Sequence, residues 1–270
     1  MAVRTVGIDP LPMFGATVTG VDCKAIDAEL ARRLREAWQT HRLLIFRDAV
    51  RDEDDLVALG ATFGDVLVSR QESPLTTRPE IMVITNVRVD GKVAGVLPDG
   101  EMQWHFDGLH QTVPYRGSIL WALSVPSRGG ETRFADMCRA YEALPDSMKQ
   151  RLQGLTATNS YDYAAAEVTE KKVAVGAPVA VHPVVRDIPE TGRKAIFVAR
   201  LMTDRINEVD EAESREILAY LYDHMAKPEF AYQHRWTVGE AVLWHNHSLA
   251  HARTDFDPAE ERMLKRVTLR

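Results

Sequence analysis

Five of the nine histidines lie in two short stretches, "WHFDGLH" from residue 104 and "VLWHNHSLAH" from residue 242. If the first stretch is a strand, His105 and Asp107 point to the same face, because side chains alternate with a period of two. A histidine from another strand would complete a set of two imidazoles and one carboxylate. That set leaves open positions on a metal ion and is typical of non-haem Fe(II) oxygenases. Alone, the H-x-D triplet is a weak signal, because most single histidines and aspartates lie at the surface or are hydrogen-bonded in the core.

Two later stretches add groups that can bind carboxylates. The segment "GGETRF" at 129–134 has two glycines that allow a tight turn and present Thr132. In "RMLKRVTLR", the strand alternation places Arg262, Leu264 and Arg266 on one face. Two interpretations are open: an edge strand with a solvated basic face, or two arginines directed inward at carboxylates, which guanidinium groups bind in a bidentate manner.

The elements that must position these residues are mostly strands in the middle and at the end of the sequence. Alternating or apolar stretches predict strands in "RLLIFRD", "GSILWALSVP", "AVHPVV", "KAIFVA", "AVLWH" and "LKRVTLR". Helices are predicted over 28–41, with Asp27 as the cap, over 208–226, and on both sides of Pro145. Residues 88–103 and "RDIPETGR" are rich in turn residues and predict loops. Because strands and helices do not alternate regularly, a β-sandwich or jelly roll with added helices fits better than a doubly wound sheet.

Composition excludes several classes of function. A formal charge of −6 and a pI near 5.9 argue against a nucleic-acid-binding surface. No apolar run approaches the ~20 residues of a membrane span, and the first residues lack the apolar core of a signal peptide. Two cysteines without a CxxC motif favour a reducing compartment, so a cytoplasmic protein is expected. The sequence also lacks a phosphate-binding P-loop, a GxGxxG fingerprint, a GxSxG elbow and an HExxH motif.

Taken in order, W-H-x-D, GG-[DE]-T-x-[FW] and W-x(6)-H-x(10)-R-x(3)-R resemble the 2-oxoglutarate-dependent dioxygenases typified by taurine dioxygenase and 2,4-dichlorophenoxyacetate dioxygenase. The residues that match are Trp104, His105, Asp107, Gly129, Gly130, Glu131, Thr132, Phe134, Trp244, His251, Arg262 and Arg266. The resemblance covers nearly the whole chain. It implies one dioxygenase domain over residues 1–270, with a double-stranded β-helix (jelly-roll) core flanked by α-helices.

The resemblance also implies the role of each matching residue. His105, Asp107 and His251 would be the Fe(II) ligands and catalytic residues, and His245 and His247 would be neighbours only. Arg262 would bind the distal carboxylate of 2-oxoglutarate with help from the Thr132 hydroxyl. O2 would be the other co-substrate, and the primary substrate would be hydroxylated with release of succinate and CO2.

The substrate residues are less closely matched. Arg266 corresponds to a residue that relatives use on a substrate sulfonate or carboxylate, and His110 is a further candidate for substrate contact. Where sulfonate users carry a histidine after the F-G pair, this chain has "VSR" ending at Arg70. Glu101 replaces a neutral amide of the taurine enzyme, so it could pair with a substrate amine or could simply be solvated. A small carboxylate, sulfonate or amino-acid-like substrate is expected.

Two other functions compete with this prediction. One is a non-catalytic jelly-roll protein that binds a ligand or senses a metal. The other is a metal-dependent hydrolase or isomerase on a cupin-like barrel, because zinc also accepts two histidines and a carboxylate. The terminal arginines would be unexplained in that case. Relatives are commonly dimers or tetramers, so a homo-oligomer is expected, with no nucleic-acid or membrane partner.

Overall fold

A computed structural model describes residues 5–69, 71–161 and 178–270. The described chain is mainly β with few helices, as predicted. The strands, in chain order, are β1 (Gly7–Pro10), β2 (Ala16–Thr19), β3 (Leu43–Phe46), β4 (Met82–Thr85), β5 (Arg88–Val89), β6 (Lys92–Val93), β7 (Met102–His105), β8 (Gly117–Ser124), β9 (Thr132–Asp136), β10 (Thr156–Ser160), β11 (Val179–Pro183), β12 (Val185–Ile188), β13 (Arg193–Ile196), β14 (Thr203–Ile206), β15 (Ala231–His234), β16 (Ala241–His245), β17 (Leu249–Arg253) and β18 (Met263–Leu269). The helices are α1 (Ala28–His41), α2 (Glu53–Ala61), α3 (Met137–Glu142), α4 (Asp146–Arg151) and α5 (Glu211–Met225).

Two sheets carry the candidate site. The larger has seven strands in the order β1-β2-β3-β16-β8-β18-β4, and the smaller has four strands in the order β15-β9-β17-β7. One apolar cluster contains buried residues of both sheets, including Leu120 and Trp244 from the larger and Phe134 and Leu249 from the smaller. The core between the sheets therefore lies directly beside the strands that bear the candidate residues.

Helices α1 and α2 cover the other face of the larger sheet. Ile119 and Trp121, which alternate with Leu120 along β8, pack with Leu34 and Trp38 of α1. Both faces of the sheet are therefore covered, which explains why every residue of β3 and β16 is buried.

Helix α1 has the predicted boundaries, whereas α5 is shorter than the predicted 208–226 and runs from Glu211 to Met225. The Asp27 side chain accepts a hydrogen bond from the backbone N–H of Leu30 and caps α1, and Asp210 caps α5 in the same manner. The region around Pro145 forms two short helices, because proline at that position cannot continue the first one.

Two segments that were predicted as loops contain strands. In 88–103, Asp90 and Gly91 both have positive φ and form the tight turn of a hairpin, and strand β7 begins before the segment ends. In "RDIPETGR", the turn is shorter than predicted because β12 runs to Ile188 and pairs with β13. The turn-rich composition of both segments predicts that a turn is present, but it does not predict the length of the turn. Among the helices described here, none has the length and apolarity to cross a membrane.

Candidate active site

His105 and His251 face each other on neighbouring strands of the smaller sheet. They are register partners in the antiparallel pair of β7 and β17, and their ring centroids lie 4.0 Å apart. Both side chains are buried. The Nδ1 atom of His105 lies 2.8 Å from the Gln103 carbonyl oxygen, which can only accept a hydrogen bond. Nδ1 is therefore the protonated nitrogen, and the lone pair of Nε2 is left for a metal ion.

Asp107 reaches the same place from a turn. Strand β7 ends at His105, so the prediction that one strand presents both ligands is wrong in this detail. The turn requires Gly108, whose φ is +69° and whose Cβ position would lie 2.8 Å from the Tyr115 ring. Ser118 Oγ donates a 2.6 Å hydrogen bond to Asp107 Oδ2, and Arg266 Nη1 lies 2.8 Å from Oδ1.

These three residues form a cluster that fits a divalent metal ion. One potential ligand atom from each of His105, Asp107 and His251 lies within 4.8 Å of the others. Burial lowers the pKa of both histidines, so the imidazoles are neutral. Burial alone would raise the pKa of Asp107, but the charged guanidinium of Arg266 holds it well below its usual range. The donor set is therefore two neutral imidazoles and one carboxylate, which suits Fe(II) with positions left open.

Arg262 is a buried cation beside this cluster. Its Nε and Nη2 donate to the Gly130 carbonyl oxygen at 3.2 Å, and its guanidinium lies over the Phe256 ring. No carboxylate of the described residues lies within salt-bridge distance of it, and burial and the neighbouring Arg253 lower its pKa to about 9. A buried guanidinium without a counter-charge is costly unless an anion pairs with it. The position therefore suits a carboxylate ligand.

Thr132 lies at the start of β9, in the same cavity as Arg262. Its hydroxyl oxygen accepts a 3.0 Å hydrogen bond from the indole N–H of Trp236. Because the indole can only donate, the hydroxyl proton of Thr132 remains for an acceptor such as a carboxylate. Neither Trp236 nor Ser118 belongs to a recognisable spacing, so the sequence alone does not indicate a role for either residue.

The site residues line two cavities that share Arg266. A small cavity of about 60 Å³ is lined by the predicted site residues His105, Asp107, Thr132, His251, Arg262 and Arg266. A larger one of about 600 Å³ is lined by residues that include Leu67, Val68, Met82, His110, Tyr115 and Arg266. Arg262 and Arg266 therefore point inward, and the interpretation of a solvated basic edge is wrong. Lys265, on the opposite face of β18, pairs instead with Glu53 of α2.

The other predicted substrate residues have different positions. His110 is buried and lines the larger cavity, near the Tyr161 ring. Glu101 lies in neither cavity, and its carboxylate pairs with Arg133 at 3.0 Å, so the prediction of a substrate contact for Glu101 is corrected. The physical reason is that β9 pairs with β17 beside β7, which brings the Arg133 cation within reach of this acid. Arg70 lies outside the described residues.

The remaining histidines of the second stretch do not reach the metal cluster. His245 packs edge-on against the Trp38 ring, and its Nδ1 lies 2.9 Å from Ser248 Oγ. His247 lies beside His245, with its Nε2 3.5 Å from the Pro114 carbonyl oxygen. Of the three histidines in that stretch, His251 alone joins His105 and Asp107.

A β-rich fold that buries two histidines, one carboxylate and the guanidinium of Arg262 in one cavity defines a class of metal-dependent oxidoreductases. Residues 7–268 match the family described as "Taurine catabolism dioxygenase TauD, TfdA family". The chain belongs to this family.

Similar proteins agree with this assignment. The (S)-phenoxypropionate/alpha-ketoglutarate-dioxygenase of Sphingobium herbicidovorans is 35% identical over 93% of this chain and 90% of its own length. The pentalenolactone F synthase of Streptomyces avermitilis is 33% identical over 98% of this chain and 94% of its own length. The crystal structure of AAD-2 in complex with Mn(II) and N-oxalylglycine superposes with a TM-score of 0.83 and 26% identity, over 98% of this chain and 96% of that one. The predicted family and the predicted class, a 2-oxoglutarate-dependent dioxygenase, are confirmed.

Proposed function

We propose that this protein is an Fe(II)- and 2-oxoglutarate-dependent dioxygenase that hydroxylates a small anionic molecule. The observation that carries the proposal is one small cavity that contains both the metal cluster and the unpaired guanidinium of Arg262. His105, Asp107 and His251 would hold Fe(II), and Arg262 and Thr132 would bind 2-oxoglutarate. When bound, iron and 2-oxoglutarate together supply the activation of O2, and the products include succinate and CO2.

The residues of the chain would contribute binding, orientation and a dry environment. The hydrogen bond from His105 to Gln103 fixes the tautomer that can bind a metal, and Ser118 orients the Asp107 carboxylate. Arg262 would pair with the distal carboxylate of 2-oxoglutarate and thereby gain the counter-charge that it lacks. The Thr132 hydroxyl would donate a hydrogen bond to the same carboxylate. Trp244 and Leu120 line the cavity and exclude water.

The larger cavity supports a proposal for the substrate. Arg266 lines both cavities, so its guanidinium can receive an anionic group of a molecule that reaches toward the metal. Apolar residues such as Leu67, Val68 and Met82 would contact the rest of the molecule. We infer a carboxylate or sulfonate head with an apolar body. The name of the Sphingobium relative describes such a compound, an aryloxy carboxylic acid.

The wider organisation is also a proposal. We propose one dioxygenase domain over residues 1–270, in which the two packed sheets form a double-stranded β-helix, or jelly roll, flanked by the helices. Cys23 and Cys138 are buried and not joined in a disulfide, which supports a reducing, cytoplasmic location. A homo-oligomer, dimer or tetramer, without a nucleic-acid or membrane partner, is proposed by analogy with relatives, and light scattering after size exclusion tests it.

The test of the function is a measurement of succinate release from 2-oxoglutarate across a set of aromatic and aliphatic carboxylates and sulfonates. Succinate should form only when Fe(II), O2 and 2-oxoglutarate are all present, and the product should gain one oxygen atom by mass. His105→Ala and Asp107→Ala should abolish release, whereas His41→Ala, at the end of α1, should not. Full activity in both ligand variants would refute the assignment.

The same assay separates the competing functions. An enzyme should form some succinate from 2-oxoglutarate once air is admitted, even when no primary substrate is present. A non-catalytic binding protein would bind 2-oxoglutarate but form no succinate under the same conditions. A metal-dependent hydrolase would act equally well without O2. No contact of the described residues favours either function, and a hydrolase would leave the unpaired Arg262 without a purpose.

A further inference from the structure

Asn246, in the turn between β16 and β17, is bound to the backbone of Asp107. Its Oδ1 accepts a 2.8 Å hydrogen bond from the Asp107 N–H, and its Nδ2 donates to the Asp107 carbonyl oxygen at 2.7 Å. The second Nδ2 proton goes to the Tyr115 carbonyl oxygen at 2.8 Å. The side chain is fully buried. One amide thus holds both polar groups of the Asp107 peptide backbone and also the far end of the loop that follows it.

Among the common side chains, only one with an amide group can make this set of bonds. An amide offers two donors and one carbonyl acceptor in a plane, and here each is matched to a backbone group of opposite kind. A flipped amide would place its oxygen against two carbonyl oxygens and its NH2 group against an N–H. The turn at Asp107 lies outside the strands, so sheet hydrogen bonds do not hold it. Asn246 supplies the hydrogen bonds that the sheet does not.

Asn86, after β4, is bound to the backbone of Arg262 in a similar way. Its Oδ1 accepts a 2.9 Å hydrogen bond from the Arg262 N–H, and its own backbone N–H donates to the Arg262 carbonyl oxygen at 3.3 Å. Its Nδ2 donates to the carbonyl oxygens of Glu260 at 2.8 Å and Pro258 at 3.2 Å. Arg262 immediately precedes β18, where the chain enters the sheet. Asn86 therefore fixes the backbone of Arg262, from which the guanidinium side chain extends.

We propose that Asn246 and Asn86 are two separate positioning residues, the first for the metal carboxylate and the second for the arginine that binds 2-oxoglutarate. The proposal rests on the function proposed above. Neither asparagine lines the small cavity, so each acts only through the backbone that it holds. Each substitution should therefore affect only one affinity. Loss of the Asn246 amide weakens metal binding, whereas loss of the Asn86 amide weakens 2-oxoglutarate binding.

The experiment measures the two affinities separately, without turnover. Mn(II) binding to metal-free protein is followed by the electron paramagnetic resonance signal of free Mn(II). Binding of labelled 2-oxoglutarate is measured by equilibrium dialysis under anaerobic conditions at saturating Mn(II). The variants are Asn246→Ala, Asn246→Asp, Asn86→Ala and Asn86→Asp. The Asp variants keep the shape and the acceptor but replace the donors with a second oxygen.

The Asn246 variants should weaken Mn(II) binding by about 10- to 100-fold, the usual effect of removing a group that orients a metal ligand. At saturating Mn(II) they should keep the affinity of the wild type for 2-oxoglutarate. The Asn86 variants should keep the Mn(II) affinity and weaken 2-oxoglutarate binding by roughly tenfold. Asn159→Ala is the matched control, because Asn159 is also fully buried with a bonded amide but lies on the sheet of β10, β11 and β14. It should change stability without changing either affinity.

Each result has a defined meaning. Wild-type protein that binds neither Mn(II) nor 2-oxoglutarate would refute the proposed function itself. Wild-type protein that binds both, with unchanged affinities in the asparagine variants or with both affinities lowered equally, would overturn the positioning roles. If both Asn246 variants fail to fold, amide exchange in metal-free wild-type protein decides that half of the proposal. The Asp107 amide should then exchange as slowly as the amides of β16, and rapid exchange would overturn the role of Asn246.

Discussion

Arg266 Nη1 lies 2.8 Å from Asp107 Oδ1, and both side chains are buried, with 8% and 7% of their surfaces exposed. The arginine inferred to bind the substrate anion is thus paired with the carboxylate inferred to bind the metal. A metal ion bound at the cluster would stabilise the same negative charge as the Arg266 guanidinium. Removing either partner of a buried pair leaves the other charge uncompensated.

Arg266→Gln should therefore destabilise the metal-free protein much more than the metal-loaded protein. Without metal, we expect a loss of about 3 kcal/mol in the free energy of unfolding, because Asp107 is left buried and unpaired. Saturating Mn(II) should restore most of that loss. Denaturant unfolding with and without Mn(II) measures both values.

The control for this prediction is Arg133→Gln, which breaks the half-exposed pair with Glu101. It should cost less than about 1 kcal/mol, with or without metal. An equal loss for Arg266→Gln in both states would contradict the shared-charge explanation.

Arg262→Met should raise the KM for 2-oxoglutarate by roughly 10- to 100-fold, because charge-assisted hydrogen bonds to a carboxylate are lost. Metal affinity should stay at the wild-type value, since Arg262 is not bonded to the cluster in this structure. Initial rates of succinate release at varied 2-oxoglutarate give the KM. Arg128→Met, at an exposed position next to Gly129, is the control and should behave as wild type. An unchanged 2-oxoglutarate requirement in Arg262→Met would disprove the assigned role.

Trp236→Phe should raise the KM for 2-oxoglutarate by about fivefold, which corresponds to the loss of one hydrogen bond worth about 1 kcal/mol. The ring is retained, but the donor that directs the Thr132 hydroxyl is absent. Thr132→Val should give a rise at least as large. In the double variant the two effects should not add, because both remove the same hydroxyl contact. Strict additivity would mean that Trp236 acts independently of Thr132.

The stability of the protein should fall as the pH is lowered from about 6.5, and His245 should account for part of this fall. Burial, followed by the neighbouring His247 and arginines, lowers the pKa of His245 from 6.5 to about 3. Between these values the unfolded chain binds a proton that the folded chain does not, so the free energy of unfolding rises with pH. We expect His245→Gln to reduce the slope of the free energy of unfolding against pH, between pH 4 and 6, by up to about 1.4 kcal/mol per pH unit. Denaturant unfolding at a series of pH values measures this slope.

Ser248→Ala is the control for the pH experiment. It removes the hydrogen-bond partner of His245 but keeps the titratable ring. It should lower stability without reducing the slope. A slope in His245→Gln equal to that of the wild type would show that other groups carry the pH dependence.

Local sequence predicted the parts of the site that depend on spacing within one segment. The alternation that turns Arg266 and Lys265 to opposite faces of β18 is a property of any strand. The cap at Asp27 and the break at Pro145 are equally local. These features required no knowledge of which strands pair.

The rest depends on pairings between distant segments. Glu101 was predicted to face a substrate, but its partner Arg133 is brought close only by the order of strands in the smaller sheet. The hydrogen bonds of Ser118 to Asp107 and of Asn246 to the same turn also join segments far apart in the chain. An isolated serine or asparagine in a sequence does not indicate which backbone it will meet, so these residues could not be identified in advance.

The register pair of His105 and His251 has a consequence for folding. Strands β7 and β17 are far apart in sequence, and β18, with Arg266, comes later still. Contacts over such separations form late, because the entropy of closing long loops must be overcome first. During refolding, the capacity to bind a metal should therefore appear together with the final closure of the two sheets. The rate of metal binding in a stopped-flow refolding experiment would therefore report the rate of the last stage of folding, after the local helices and hairpins have formed.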